Sequence, residues 1–236
     1  MSVRRFAAWG VHFYTALGLP LSALAMEALT RQDANAFFGY LWVACFVDST
    51  DGTMARRVKV REVVPEFDGR KLDDIVDFLT FAFLPALAVP ALGLVPKEWA
   101  WVAVLPLMAS GYGFCQEKAK TPESFVGFPS YWNIVVLYLY VLGATPIVTT
   151  AVLAFLSLLV FVPIHYVYPT KAKLWKPVTI GFGALWAAAM APVCFFPDAA
   201  WAPTVTWISL LYPAYYLVIS IVHHQRVHDH EAADVA

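Results

Sequence analysis

Apolar residues run along this chain in long blocks, broken by short polar connections instead of alternating with them. Eight such blocks fall at roughly 11–30, 35–55, 73–95, 98–115, 131–146, 148–166, 177–196 and 204–223. A helix that crosses a bilayer needs about 20 mostly apolar residues. The pattern therefore predicts an all-α, polytopic membrane bundle of about eight transmembrane helices. The fifth and sixth blocks are short and are parted only by Gly143-Ala-Thr-Pro146, a turn signal that reads as a tight hairpin. No internal repeat and no long linker is visible, which predicts a single domain over residues 1–236.

Basic residues give the blocks a direction. Arg4 and Arg5 precede the first block, and Arg56, Arg57, Lys59, Arg61, Arg70 and Lys71 lie between the second and third. Lys118 and Lys120 follow the fourth, Lys171, Lys173 and Lys176 lie between the sixth and seventh, and Arg226 follows the eighth. With eight spans all of these fall on one side, and only Arg31 and Lys97 fall on the other. Positive residues stay in the cytoplasm, so both termini are expected there. A six- or seven-span count would scatter the basic loops over both faces.

Composition agrees with a membrane chain: 60% of residues are hydrophobic and 14% are charged. No cleavable signal peptide is expected, because no small-residue cleavage site follows Arg4-Arg5 and a short apolar core. The net charge of −1 gives no ground for a nucleic-acid partner, and none is expected. Cys45, Cys115 and Cys194 are odd in number and scattered through apolar blocks, which reads as reduced core residues. The tail His223-His-Gln-Arg-Val-His228-Asp-His230 reads as a solvated helix end and a disordered terminus.

The chemistry is concentrated where the second block ends and the third begins. Residues three and four apart share a helix face. Asp48, Asp51, Gly52, Ala55 and Arg56 therefore form one stripe, and Gly69, Asp73 and Asp77 another. Acids at the ends of membrane-embedded helices are costly and persist where they pair with cations or line a polar path. Too few nearby basic residues share their face to neutralise them all. Two facing stripes would gather Asp48, Asp51, Asp73 and Asp77 around one point at the cytoplasmic boundary. Carboxylates are hard ligands that suit Mg²⁺, Mn²⁺ or Ca²⁺, and four of them suit two ions and phosphoryl chemistry. Gly52 and Ala55 leave room beside the acids, and Arg56 offers a planar fork for phosphate. Asp74 lies off the stripe and Asp68 reads as a cap or surface charge. Glu62 and Glu66 read as loop charges balancing Arg57, Lys59 and Arg61.

This pattern resembles the signature of the CDP-alcohol phosphotransferase family, D-x2-D-G-x2-A-R, a spacer, then G-x3-D-x3-D. Every fixed position is met, by Asp48, Asp51, Gly52, Ala55, Arg56, Gly69, Asp73 and Asp77. The family's usual spacer is eight residues, whereas twelve separate Arg56 from Gly69 here. The long spacer, the eight blocks and the segments Gly111-Tyr-Gly-Phe-Cys-Gln-Glu-Lys and Phe125-Val-Gly-Phe-Pro-Ser-Tyr-Trp-Asn133 resemble the bacterial phosphatidylcholine synthase branch. The resemblance implies a homodimer in the bacterial inner (cytoplasmic) membrane with its active site facing the cytoplasm. It implies transfer of the phosphatidyl group from CDP-diacylglycerol to choline with release of CMP, using two ions, Mn²⁺ or Mg²⁺. Asp48, Asp51, Asp73 and Asp77 would bind metal, and Asp77 would also be the general base. Gly52, Ala55, Arg56 and Gly69 would serve the CDP moiety.

A quaternary ammonium donates no hydrogen bond, so its recognition falls to aromatic faces or carboxylates, at about 0.5–2 kcal/mol per cation–π contact. Tyr112, Tyr131, Trp132, Tyr166, Tyr168 and Trp175 lie near the expected cytoplasmic face as choline candidates, although aromatics at that level often only anchor the interface. Lys171 and Lys173 are candidates for lipid phosphate, with anchoring as the equal alternative. His165 reads as a structural histidine. Serine as acceptor is the nearest rival, but a serine site needs a partner for the carboxylate, for which aromatic richness gives no support. A divalent-cation transporter is the rival from another class. It would place acids at mid-membrane between inverted repeats, and neither feature is visible here.

Overall fold

A computed structural model describes residues 2–116, 124–168 and 175–235, with side chains as far as Val227. Lys118, Lys120, Lys171 and Lys173 lie outside the described residues. The chain is mostly helical. All eight apolar blocks contain helix, but several are broken or re-bounded in ways the hydropathy pattern does not show.

The first block extends back to the N-terminus as α1 (Val3–Ala16) and α2 (Gly18–Thr30), joined at Leu17. The second is α3 (Ala34–Val58), whose start is capped by the Asp33 carboxylate accepting from the Ala36 N–H. It stops at Lys59, which has left-handed backbone, and the short α4 (Val60–Val63) follows. The third block opens as α5 (Gly69–Asp77), capped by Asp68 accepting from the Lys71 N–H at 3.1 Å, so Asp68 is a helix cap. It widens into a π-helical segment over Phe78–Phe83 and resumes as α6 (Leu84–Ala91). Single π turns inside helices are frequent at functional sites, and this one begins directly after Asp77. The fourth block is a 3₁₀ segment (Lys97–Ala103) leading into α7 (Val104–Cys115).

The expected hairpin at 143–146 joins α8 (Trp132–Val141) to α9 (Pro146–Val160). Gly143 supplies a positive φ of 60°, Thr145 caps the next helix through the Val148 N–H, and Pro146 takes its first position. The last two blocks are α10 (Lys176–Phe195) and the pair α11 (Ala202–Ser209) and α12 (Leu211–Val235).

One element departs from a purely helical reading. The end of the sixth block, expected to be helical to 166, turns at 161–164 and becomes β2 (His165–Val167). It pairs antiparallel with β1 (Ser124–Val126), in the register Ser124↔Val167, Phe125↔Tyr166 and Val126↔His165. Three-residue strands rich in apolar and aromatic side chains carry too few alternations to be told from the adjoining span.

Among the described residues three helical stretches are long and apolar enough to cross a membrane: Val3–Thr30, Lys176–Phe195 and Ala202–Val227. Helix α8 has ten residues, about 15 Å of rise, and falls short of a ~30 Å hydrocarbon core by itself. The core is formed around Phe37, Leu137, Leu153, Trp132 and Met190, all buried. Phe13, Phe155, Leu158, Leu185, Trp207 and Leu211 are among the many large apolar side chains exposed on the outside, the distribution expected of a surface solvated by lipid.

Candidate active site

Helices α3 and α5 bring Asp48, Asp73 and Asp77 together. Each offers a carboxylate oxygen, and these oxygens lie within 4.8 Å of one another. Asp51 lines the same cavity but is not among those three. It is buried, and its carboxylate accepts the Thr15 hydroxyl of α1 at 2.6 Å. The cavity measures about 320 Å³ and is lined by two unlike kinds of residue. One kind is charged: Asp48, Asp51, Asp73, Asp74 and Asp77 with Arg56 and Arg70. Five carboxylates against two guanidinium groups leave an excess of negative charge, which a hard divalent cation suits. The other kind is aromatic: Phe114 at the end of α7, Phe125 of β1, Phe128 and Tyr131 from the loop after it, and Tyr168 directly after β2.

Both motif helices are rotated from the stripes read in the sequence. On α5 the residues facing the cavity are Arg70, Asp73, Asp74 and Asp77, at offsets 0, +3, +4 and +7. Asp74, expected off the stripe, is on it, 3.9 Å from the Arg70 guanidinium. Gly69 stands outside the cavity lining, where a Cβ would lie 2.5 Å from Cε1 of His12. On α3 the cavity face includes Asp48, Ser49, Gly52, Thr53 and Arg56. Ala55 is not part of it and packs instead beside the apolar cluster of Ala8, Val11, Val60 and Val64. Gly52 leaves space that Arg56 folds across: a Cβ there would be 3.4 Å from Nη1, and Arg56 Nη2 donates to Thr53 Oγ1 at 2.9 Å.

Helix α1 braces this arrangement, which its apolar sequence does not announce. Besides Thr15 on Asp51 and His12 against Gly69, the Tyr14 and Thr50 hydroxyls meet at 2.9 Å. Arg5 pairs with Glu66, which was expected to balance the basic residues of the connecting loop. Glu62 does pair locally, with Lys59 at 3.4 Å.

The six aromatic candidates separate. Tyr131 and Tyr168 line the cavity, and Tyr131 is within electrostatic reach of Asp48. Tyr112, Trp132, Tyr166 and Trp175 do not line it. Trp132 is fully buried, its indole N–H donating to Ser110 at 2.7 Å, and Ser110 in turn donates to Ser130 on the cavity wall. Tyr166 is buried against Tyr216, Tyr112 lies half-exposed against Phe161, and Trp175 is exposed. Gly127 holds the wall close to α9. Its φ is +82°, and a Cβ would sit 2.3 Å from the Val160 carbonyl oxygen. His165 accepts a structural role, its Nδ1 2.9 Å from Ser124 Oγ.

Residues 11–170 match the CDP-alcohol phosphatidyltransferase family, and the match takes in both acidic helices and the aromatic residues lining the cavity. The chain belongs to the CDP-alcohol phosphatidyltransferase family. Members of that family that resemble it include the phosphatidylcholine synthases of three bacteria. That of Legionella pneumophila is 38% identical over 70% of this chain and 66% of its own length. That of Pseudomonas aeruginosa is 36% identical over 78% of each chain, and that of Rhizobium meliloti 36% identical over 76% of each. Together with its three long apolar helices, this membership marks the transferase as a membrane protein. The residues present fit the family's dependence on divalent metal, because the converging donors are all carboxylate oxygens and no soft ligand joins them among the described residues.

Proposed function

We propose that this phosphatidyltransferase takes the phosphatidyl group from CDP-diacylglycerol, gives it to choline and releases CMP. The observation that carries the reading is one cavity lined both by acids with arginines and by aromatic rings. The first suits a diphosphate with its counter-ions, and the second suits a cation that donates no hydrogen bond. The names of its relatives point the same way.

In this reading Asp48, Asp51, Asp73 and Asp77 would hold two ions, Mn²⁺ or Mg²⁺, which would supply positive charge against the diphosphate. Arg56 and Arg70 grip the diphosphate, with Gly52 leaving space for the nucleotide. Ala55 and Gly69 act one step back, letting α1 pack tightly behind the motif. Asp77 accepts the proton of the choline hydroxyl as its oxygen bonds to the lipid-bearing phosphorus. The bond from that phosphorus to the CMP oxygen breaks, and CMP leaves with the electron pair. Positioning and charge stabilisation dominate such transfers. Tyr131 and Tyr168, with Phe125 stacked on Tyr168, are the acceptor-side aromatics, and Lys171 and Lys173 are assigned to lipid phosphate or to anchoring. The whole chain acts as a single domain of eight spans in the bacterial inner membrane, as a homodimer, with both termini and the cavity at the cytoplasmic edge.

Purified protein in detergent, supplied with Mn²⁺, CDP-diacylglycerol and labelled choline, is expected to form labelled lipid and equimolar CMP, and EDTA is expected to stop both. Incorporation of serine or inositol with none of choline would overturn the acceptor.

A further inference from the structure

Strand β2 pairs with β1 along one edge, and side chains of α12 meet its other edge. Three residues do so at four-residue intervals. Tyr216 Oη donates to the Val167 carbonyl at 3.0 Å, Ser220 Oγ accepts from the Val167 N–H at 3.1 Å, and His224 Nδ1 accepts from the His165 N–H at 3.3 Å. Residues four apart share a helix face, so a single stripe of α12 takes the place of a third strand. The rings of Tyr166 and Tyr216 stack beneath it at 6.3 Å and 14°. Val167 and Ser220 are fully buried. A backbone group stripped of its partner there loses what water would otherwise supply, so the strand has little freedom to shift while the stripe is intact.

The far end of the ribbon reaches the cavity. Tyr168 follows β2 directly, and its ring stacks on Phe125 of β1 with centroids 4.6 Å apart and planes 17° from parallel. Both residues line the cavity that the aspartates also line. Helix α12 itself begins well beyond residue 170, where the family match ends. The Phe125–Tyr168 pair thus leans on a helix beyond residue 170, whereas the acidic residues all lie within the matched residues 11–170.

We propose that Tyr216 and Ser220 are positioning residues for acceptor choice. They hold the β1–β2 ribbon so that the Phe125–Tyr168 pair stays in place to receive the quaternary ammonium of the acceptor alcohol. The proposal rests on transfer to choline as the function. Apolar rings receive a trimethylated ammonium without loss, but leave the N–H donors of a primary ammonium unpaired. The ribbon therefore favours choline over ethanolamine, and loosening it narrows that preference.

The experiment compares wild type with Ser220→Ala, Ser220→Thr and Tyr216→Phe, measuring initial rates with choline or ethanolamine while each substrate is varied. Ser220→Ala is expected to raise KM for choline about tenfold and to narrow the choline-to-ethanolamine ratio, with kcat and KM for CDP-diacylglycerol within about twofold of wild type. Ser220→Thr, which keeps the hydroxyl, is expected to restore the wild-type KM. Tyr216→Phe removes a hydroxyl that also meets Ser220 and Tyr131, moves the same parameter in the same direction, and carries the test should Ser220→Ala not fold. An unchanged KM for choline in both hydroxyl-deleting variants overturns the proposal, as does a parallel loss in kcat and both KM values. A wild type that uses no choline overturns the functional reading first, and the two failures are separated by that control.

Discussion

At the scale of single residues, the site depends on how few atoms separate function from packing. Asp48, Asp73 and Asp77 converge because their helices meet, while Asp51, with the same side chain and only three residues from Asp48, is tied to Thr15. A hydrogen bond to a charged group is worth about 1.5–3 kcal/mol, enough to fix the direction in which that carboxylate points. Asp77 is the acid assigned to take the proton from choline. General-base catalysis contributes roughly 10²–10⁴-fold, so Asp77→Asn is expected to lower kcat by at least about a thousandfold. Its elution from size-exclusion chromatography and its helical circular dichroism should match wild type. Activity within tenfold of wild type would remove Asp77 from the base role.

At the scale of elements, α1 is the piece that lets two acidic helices sit close together. Its His12 ring lies against Gly69 and is itself packed by Phe67, at 4.5 Å between centroids, and by Trp9 at 5.7 Å. The ring has no open side to swing into when a methyl group is added at Gly69. Overpacking of this kind costs about 1–3 kcal/mol, more than the gain in helix propensity at the first position of α5. Gly69→Ala is expected to lower the thermal unfolding midpoint in detergent and to reduce activity by displacing Asp73. In a His12→Ala background the same change should cost much less, and a double-mutant cycle measures that coupling directly. Additive effects would mean that the close approach of α1 is not what requires glycine.

At the scale of the whole molecule, the proposed eight spans fix which connections face which side of the bilayer. In that arrangement Lys59 would lie on the cytoplasmic side and Ala200, in the connection before α11, on the opposite side. In a variant without native cysteines, Ala200→Cys is expected to react with a membrane-impermeant maleimide added to intact spheroplasts. Lys59→Cys should react only after permeabilisation. Labelling of both from outside would reverse the count. Among the described residues three stretches meet the requirement of length and apolarity. The third and fourth blocks are interrupted by a π segment and a 3₁₀ segment.

Local spacing alone set Asp48 with Asp51 on one helix face and Asp73 with Asp77 on another, offered Asp68 as a cap or a surface charge, and marked 143–146 as a turn. Each of these is set by residues within one or two helical turns, where sequence separation and spatial separation agree. Spacing also defined which residues share a face, but not which way that face points. The structure rotates α5 so that Arg70 and Asp74 join Asp73 and Asp77, and rotates α3 so that Ala55 packs behind the site. Rotation about a helix axis is decided by what packs on the other sides, here α1 through Thr15 and His12. The same holds for His223 and His224, expected in a solvated helix end. His223 is buried, and His224 holds the edge of a strand drawn from fifty-nine residues earlier in the chain. Such contacts join segments far apart in sequence, and only the assembled tertiary structure selects them.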